Sequence, residues 1–164
     1  MSGFSFDEIR EKKFNEIKRR YPKIDSLMLP GLWLIQEQEG WISLDAMKYL
    51  AKKLETTPAQ VYSVATFYTM FNLQPKGKYH ICICKTLSCK LNGSENIKET
   101  LQKELGIKAG ETTKDGVFSL EEVECLGACD MSPVISLNDE YIGNLNEEKI
   151  KNIIKELKDA AKDS

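Results

Sequence analysis

The chain has 164 residues, of which 41% are hydrophobic, enough to bury one core or a core with a smaller second one. Its formal net charge is -2 and its lysines are mixed with glutamates, which argues against nucleic acid as a partner. The longest apolar runs, such as residues 32–35, are too short to cross a bilayer, and the N-terminal segment has no apolar signal-peptide core. We therefore expect a cytoplasmic protein without direct membrane insertion.

The first half of the chain, from residue 6 to about 73, has the periodicity of helices. Four short helices are predicted, at 7–20, 26–40, 43–54 and from 57 onward. The last has the clearest start, because Thr57 is a good cap, Pro58 suits the first helical position and Gln60 completes a capping box. We interpret the aromatic residues of these helices as core and not as cofactor contacts; they include Trp33, Tyr62, Phe67 and Phe71.

Residues 74–78 interrupt this pattern with a proline and a glycine, and we place a domain boundary there. The predicted domains are a helical bundle at 1–77 and a second domain at 78–164. Strands are predicted in the second domain at 79–84, 117–123, 134–137 and 141–143, and helices at 92–106 and after Asn146. The order β-α-β-β-β-α predicts an α+β protein, with helices packed on a mixed sheet.

Four of the five cysteines form two close pairs, Cys84-x4-Cys89 and Cys125-x3-Cys129, which we place in loops after predicted strands. Four thiolates suit either an iron-sulfur cluster or a structural zinc ion. The spacing favours iron-sulfur, because zinc knuckles are usually tighter, but it leaves zinc open. A thioredoxin-type dithiol is disfavoured because the sequence contains no C-x-x-C.

Three further residues lie near these pairs in the sequence. Gly127 would let the backbone approach an inorganic sulfide and donate hydrogen bonds from its N–H groups. Cys82 precedes Cys84 by two residues, and we interpret it as a buried spectator. His80 is the only histidine, and we expect an ordinary strand residue with no nucleophile beside it. The sequence has no glycine-rich nucleotide motif, so flavin or nicotinamide binding by this chain is not supported.

The cysteine pattern and two longer segments resemble one known family. Cys84-x4-Cys89, the segment Glu-Cys-Leu-Gly-Ala-Cys at 124–129 and Val-Ala-Thr-Phe-Tyr-Thr-Met-Phe at 64–71 together resemble the NuoE family. This family comprises the 24 kDa-type 2Fe-2S subunit of the NADH dehydrogenase module of complex I. Segments 36–42 and 110–116 add to the similarity, which covers most of the chain.

The resemblance implies a fold and a cofactor site. It implies a thioredoxin-like 2Fe-2S ferredoxin domain after the helical bundle. It also implies one 2Fe-2S cluster, with no ligand role for Cys82 and with Pro133 where such folds often place a cis proline. The implied ligands are Cys84, Cys89, Cys125 and Cys129.

The resemblance also implies a function as an oxidoreductase subunit without catalytic residues of its own. Its cluster would exchange single electrons with the FMN of a NuoF-type partner, which would hold both FMN and NAD and connect to the larger iron-sulfur subunit. The location would be peripheral, on the cytoplasmic side of a membrane complex. The same subunit type occurs in NAD-reducing or bifurcating hydrogenases and NAD-linked formate dehydrogenases. A zinc-stapled structural adaptor is the alternative from a different class.

Overall fold

The structure is a computed structural model, and it describes residues 3–162. The chain divides into two compact units, one up to Pro75 and one from Lys76 onward. Each unit has a buried apolar core of its own. Among residues 3–162, no helix combines the length and the apolar character needed to span a membrane.

The first unit, here the helical unit, contains the four helices that the sequence predicts. They are α1 (Glu8–Lys18), α2 (Met28–Glu39), α3 (Leu44–Lys53) and α4 (Pro58–Phe67), with a 3-10 turn at Ile24–Leu27. The Thr57 side chain accepts from the Gln60 N–H, and the Gln60 side chain reaches back to the Thr57 N–H, so the predicted capping box is present. The side chains of Asp7 and Ser43 likewise accept backbone N–H groups at the starts of α1 and α3.

The prediction that the helical aromatic residues belong to the core is wrong for most of them. Trp33, Tyr62 and Phe67 are 39%, 50% and 77% exposed, and only Phe71 of the four is buried. Tyr62 directly follows the fully buried Val61 on its helix. One residue corresponds to a rotation of about 100° around a helix, which takes a side chain out of a narrow buried stripe.

The second unit, here the ferredoxin unit, is a five-stranded mixed sheet with helices, which confirms the predicted α+β class. Its helices are α5 (Leu87–Leu91), α6 (Ser94–Leu105) and α7 (Glu147–Lys162). Its strands are β1 (Tyr79–Cys84), β2 (Glu111–Thr112), β3 (Phe118–Val123), β4 (Ile135–Leu137) and β5 (Glu140–Ile142). The strand order is β2-β3-β1-β4-β5, with β1 parallel to β3 and antiparallel to β4.

The two faces of β1 have different surroundings, because successive side chains of a strand point to opposite sides. Ile81 and Ile83 are buried in a core that includes residues of α6 and α7. His80 and Cys82 lie on the other face, which is polar. The register places His80 beside Ser119, and Ser119 is 1% exposed. The helices therefore cover one face of the sheet, and the other carries hydrogen-bonding side chains.

The segment between β1 and α6 differs from the prediction. α6 begins at Ser94 after Gly93, whose φ of 92° is in the left-handed region, and its cap makes no side-chain hydrogen bond. Asn92 is not the predicted cap of α6. It ends α5, and its side chain donates to the Ser88 carbonyl oxygen and the Ser132 hydroxyl. The capping-box prediction was wrong because Asn92 already serves the preceding helix.

Candidate metal centre

The four predicted cysteines are brought together beyond one edge of the sheet. β1 and β3 are parallel neighbours, and Cys84 at the end of β1 lies opposite Val123 at the end of β3. Cys125 follows two residues later, and Cys129 begins a 3-10 turn. Cys89 was predicted in a loop but lies in α5. This helix of five residues turns the chain back, so that Cys89 and Cys84 enter the same small buried cluster.

The two cysteine pairs differ in exposure. Cys84 and Cys89 are buried in an apolar cluster with Val134, whereas Cys125 and Cys129 are exposed. The sulfur atoms of Cys125 and Cys129 are 3.8 Å apart. Two thiolates bound to one tetrahedral metal at about 2.3 Å are separated by about 3.8 Å. This pair therefore already has the spacing that a shared iron atom requires.

The separation between the pairs distinguishes a two-metal cluster from a single ion. A zinc ion with four thiolates would hold all of the sulfur atoms about 3.8 Å from one another. Within residues 3–162, no three of the four sulfur atoms lie mutually within 4.8 Å. Cys84 and Cys89 interact directly, as Cys125 and Cys129 do. Two separate pairs fit a 2Fe-2S cluster, in which each iron takes two thiolates.

Hydrogen-bond donors surround the sulfur atoms. Gly127 has a φ of 78°, a conformation that favours glycine, and its N–H donates to the Cys125 sulfur at 3.4 Å. The Thr86 hydroxyl lies 3.2 Å from the Cys84 sulfur. Other donors are the Leu126 N–H toward Cys84, the Val134 N–H toward Cys89 and the Ser88 hydroxyl toward Cys129. Such donors stabilise thiolates and tune the potential of a bound cluster.

The buried pair does not ionise evenly. Burial raises the pKa of Cys89, and the adjacent Cys84 sulfur raises it further. Burial also opposes ionisation of Cys84, but the hydrogen bonds from Thr86 and Leu126 outweigh it and lower the pKa of Cys84. Cys84 is therefore the first of this pair to become a thiolate, the form that binds metal.

Cys82 lies apart from these pairs, next to a histidine and a carboxylate. His80 Nε2 is 3.5 Å from the Cys82 sulfur and 3.0 Å from Glu121 Oε2. Burial, assisted by the Glu121 charge, raises the pKa of Cys82 to about 11. The hydrogen bond from His80, together with Lys76, lowers the pKa of Glu121 to about 2. The expectation of an isolated strand histidine is wrong, because His80 belongs to this cluster.

Comparison with known proteins identifies the family. Residues 14–158 match the model of the thioredoxin-like [2Fe-2S] ferredoxin family. The chain is 47% identical over 156 residues to a subunit of the NADH-quinone oxidoreductase of Rickettsia prowazekii (strain Madrid E), covering 93% of this chain and 88% of that protein. It is 46% identical to the protein of the same name from Rickettsia bellii (strain RML369-C), covering 96% of each. The chain therefore belongs to the thioredoxin-like [2Fe-2S] ferredoxin family.

A solved structure shows the same fold. It is a chain of a NAD+-reducing [NiFe]-hydrogenase in the air-oxidized state, with a TM-score of 0.72 and 19% identity. The similarity covers 82% of this chain and 23% of the hydrogenase chain, so this chain spans about a quarter of that polypeptide. The predicted family, the fold class and one 2Fe-2S cluster as cofactor are confirmed. The assignment of the four cysteines as its ligands stays a prediction.

Proposed function

We propose that this protein is the electron-transfer subunit of the NADH dehydrogenase module of an NADH:quinone oxidoreductase, with one 2Fe-2S cluster held in the ferredoxin unit. The observation that carries the proposal is the arrangement of two thiol pairs beyond adjacent parallel strands. The family match supports it, as do the relatives that are named as NADH-quinone oxidoreductase subunits. The proposed ligands are Cys84, Cys89, Cys125 and Cys129.

The residues around the thiols bind and orient the cofactor. When bound, the cluster supplies one-electron chemistry and needs no proton-transferring side chain. Val134 and Ala128 keep water from the buried pair, while the exposed Cys125 and Cys129 face solvent. The exposed pair is therefore the side from which we expect a redox partner to approach.

The proposed partner is a NuoF-type subunit that holds both FMN and NAD and connects this chain to the larger iron-sulfur subunit. The names of the relatives indicate that they are subunits of a larger oxidoreductase. We place the protein peripherally, on the cytoplasmic side of the membrane complex. Assembly into an NAD-reducing hydrogenase or formate dehydrogenase is the second candidate, supported by the fold of the hydrogenase chain.

The first test is spectroscopic and uses anaerobically purified protein. We expect about two iron atoms and two sulfides per chain, and a rhombic S = 1/2 EPR signal that appears after dithionite reduction. Zinc in place of iron, with no EPR signal, would support the structural adaptor and contradict the proposal. NADH oxidation by the isolated chain would contradict the assignment of FMN and NAD to the partner.

The ligand set is tested by serine substitutions. Cys84→Ser, Cys89→Ser, Cys125→Ser and Cys129→Ser should each lower the iron content or change the EPR signal, because hydroxyl is a poorer ligand than thiolate. Cys82→Ser is the matched control and should leave the signal unchanged, since Cys82 lies with His80, outside both pairs. An unchanged signal in any of the first four variants would remove that residue from the ligand set.

A further inference from the structure

The ferredoxin unit contains a second group of metal-ligating side chains, on the sheet face opposite α6 and α7. This group, here the His80 cluster, consists of His80, Cys82 and Glu121. One ligand atom from each residue lies within 4.8 Å of the other two. The proposed electron-transfer function uses none of these three side chains. Both the geometry and the chemistry of the group are those of a metal site.

Strand pairing sets the positions of all three side chains. In the parallel register, Cys82 of β1 lies directly beside Glu121 of β3. His80 precedes Cys82 by two residues, so both point to the same face. The side chains of His80 and Glu121 are 19% and 31% exposed, which leaves the group accessible to a small ion. No loop has to close, because the ligands lie on hydrogen-bonded strands.

The distances are close to those of a tetrahedral zinc site. A zinc ion at about 2.0 to 2.1 Å from nitrogen and oxygen and about 2.3 Å from sulfur separates N and O by about 3.4 Å, and N and S by about 3.6 Å. The corresponding distances are 3.0 Å, from His80 Nε2 to Glu121 Oε2, and 3.5 Å, from His80 Nε2 to the Cys82 sulfur. Side-chain shifts of a few tenths of an ångström would bring these atoms to ligating positions.

The surrounding charges also suit a divalent cation. Lys76 forms an ion pair with Oε1 of Glu121, which orients the carboxylate and leaves Oε2 directed at His80. Asp139 acts on Cys82 from beyond β4. Once the thiol has released its proton to solvent, the formal charges of Cys82, Glu121, Lys76 and Asp139 together balance a divalent ion.

We propose that His80, Cys82 and Glu121 bind one divalent ion of the zinc class, with three protein ligands and one open coordination position. The mixture of nitrogen, sulfur and oxygen ligands selects this class over Mg²⁺ and Ca²⁺, which prefer oxygen alone. The ion joins β1 to β3 just before these strands deliver Cys84 and Cys125. Its role is to fix the two strands from which the proposed cluster ligands project.

Zinc titration of the cluster-loaded protein tests the proposal. Isothermal calorimetry and metal analysis after gel filtration should give one zinc per chain with no loss of iron. Because His80 is the only histidine, its imidazole NMR resonances report directly on this site, and they should shift in the oxidised protein. His80→Asn, Cys82→Ser and Glu121→Gln should each weaken zinc binding at least tenfold. Glu122→Gln is the matched control, because Glu122 is adjacent but pairs with Lys98.

Two results would overturn the proposal. One is protein with intact iron that retains no zinc. The other is zinc uptake that is the same in His80→Asn and Glu121→Gln as in the wild type, including uptake that displaces iron from the cysteines. Iron and sulfide are measured in the same samples, so failure of the zinc site is distinguishable from failure of the proposed 2Fe-2S site.

Discussion

Lys53 of the helical unit is surrounded by a carboxylate and three aromatic rings. Its Nζ lies 2.6 and 2.7 Å from the two oxygens of Glu11. It is also 5.0 to 5.9 Å from the ring centroids of Phe6, Phe14 and Tyr49, within range of cation-π attraction. The hydrogen bond from Lys53 lowers the pKa of Glu11. Lys53 thus connects α1 and α3 with the residues that precede α1.

This pair predicts a pH dependence of stability. Because the pKa of Glu11 in the folded state is below the reference value of 4.5, the stabilisation is fully present above that pH and is lost as the pH falls through the folded-state pKa. Glu11→Gln should therefore cost roughly 0.5 to 1 kcal/mol at pH 7, a modest value because the pair is partly exposed. The difference from wild type in thermal unfolding should shrink below pH 4.5.

The control for this prediction is Glu16→Gln, an exposed position on the same helix, which should change the melting temperature little at any pH. A difference between Glu11→Gln and wild type that stays constant down to strongly acidic pH would show that the carboxylate charge is not responsible.

The turn after β5 packs closely against the 3-10 turn that begins at Cys129. A Cβ atom on Gly143 would lie 2.5 Å from the Met131 carbonyl oxygen and from its Cβ. The Asn144 N–H donates to that same carbonyl at 2.6 Å. Gly143 therefore permits β5 to pack against the element that holds a proposed cluster ligand.

Gly143→Ala should destabilise the ferredoxin unit by about 1 to 3 kcal/mol, the usual cost of overpacking, and should speed cluster loss because the strain falls on the Cys129 turn. Denaturant unfolding and the decay of visible absorbance would measure the two effects. Gly3→Ala is the control, since a Cβ there meets no atom within 4 Å. Equal cluster lifetimes in the two variants would contradict the coupling.

The sequence predicts elements well where the information is local. Thr57, Pro58 and Gln60 mark the start of α4 by cap chemistry, and the structure has that cap. By contrast, α5 and β2 have five and two residues, too few to establish a period. The convergence of the cysteine pairs was predictable from strand ends. The His80 cluster was not, because its third member comes from β3, and the strand beside β1 is determined by long-range pairing.

At the scale of the whole molecule, the helical unit exposes aromatic side chains that a complete fold usually buries. Trp33, Tyr68 and Phe67 form what we call the aromatic patch. Trp33 and Tyr68 each pack edge-on against the buried Phe71, and Phe67 packs against Tyr68. Exposed aromatic groups of this kind mark protein interaction sites. We expect the proposed flavin-binding subunit to cover this patch.

Phe67→Ser should weaken the heterodimer formed on co-expression with that subunit by roughly tenfold, because a buried interface aromatic typically contributes more than about 1 kcal/mol. Gel filtration at decreasing concentration would measure dissociation. Ile9→Ser, at an exposed apolar position of α1, is the control and should leave the complex unchanged. Identical dissociation of the two variants would place the interface elsewhere on the chain.

The position of the cysteine pairs in the chain has a consequence for synthesis. The helical unit ends at Pro75, before any of the cysteines, so it can fold on the ribosome while the cluster ligands are still untranslated. Cys84 and Cys125 converge only when β3 has paired with β1, and the Val134 N–H that serves Cys89 is made later still. Cofactor insertion therefore comes late in the life of the nascent chain, and the maturation machinery must act on a protein whose first half is already native.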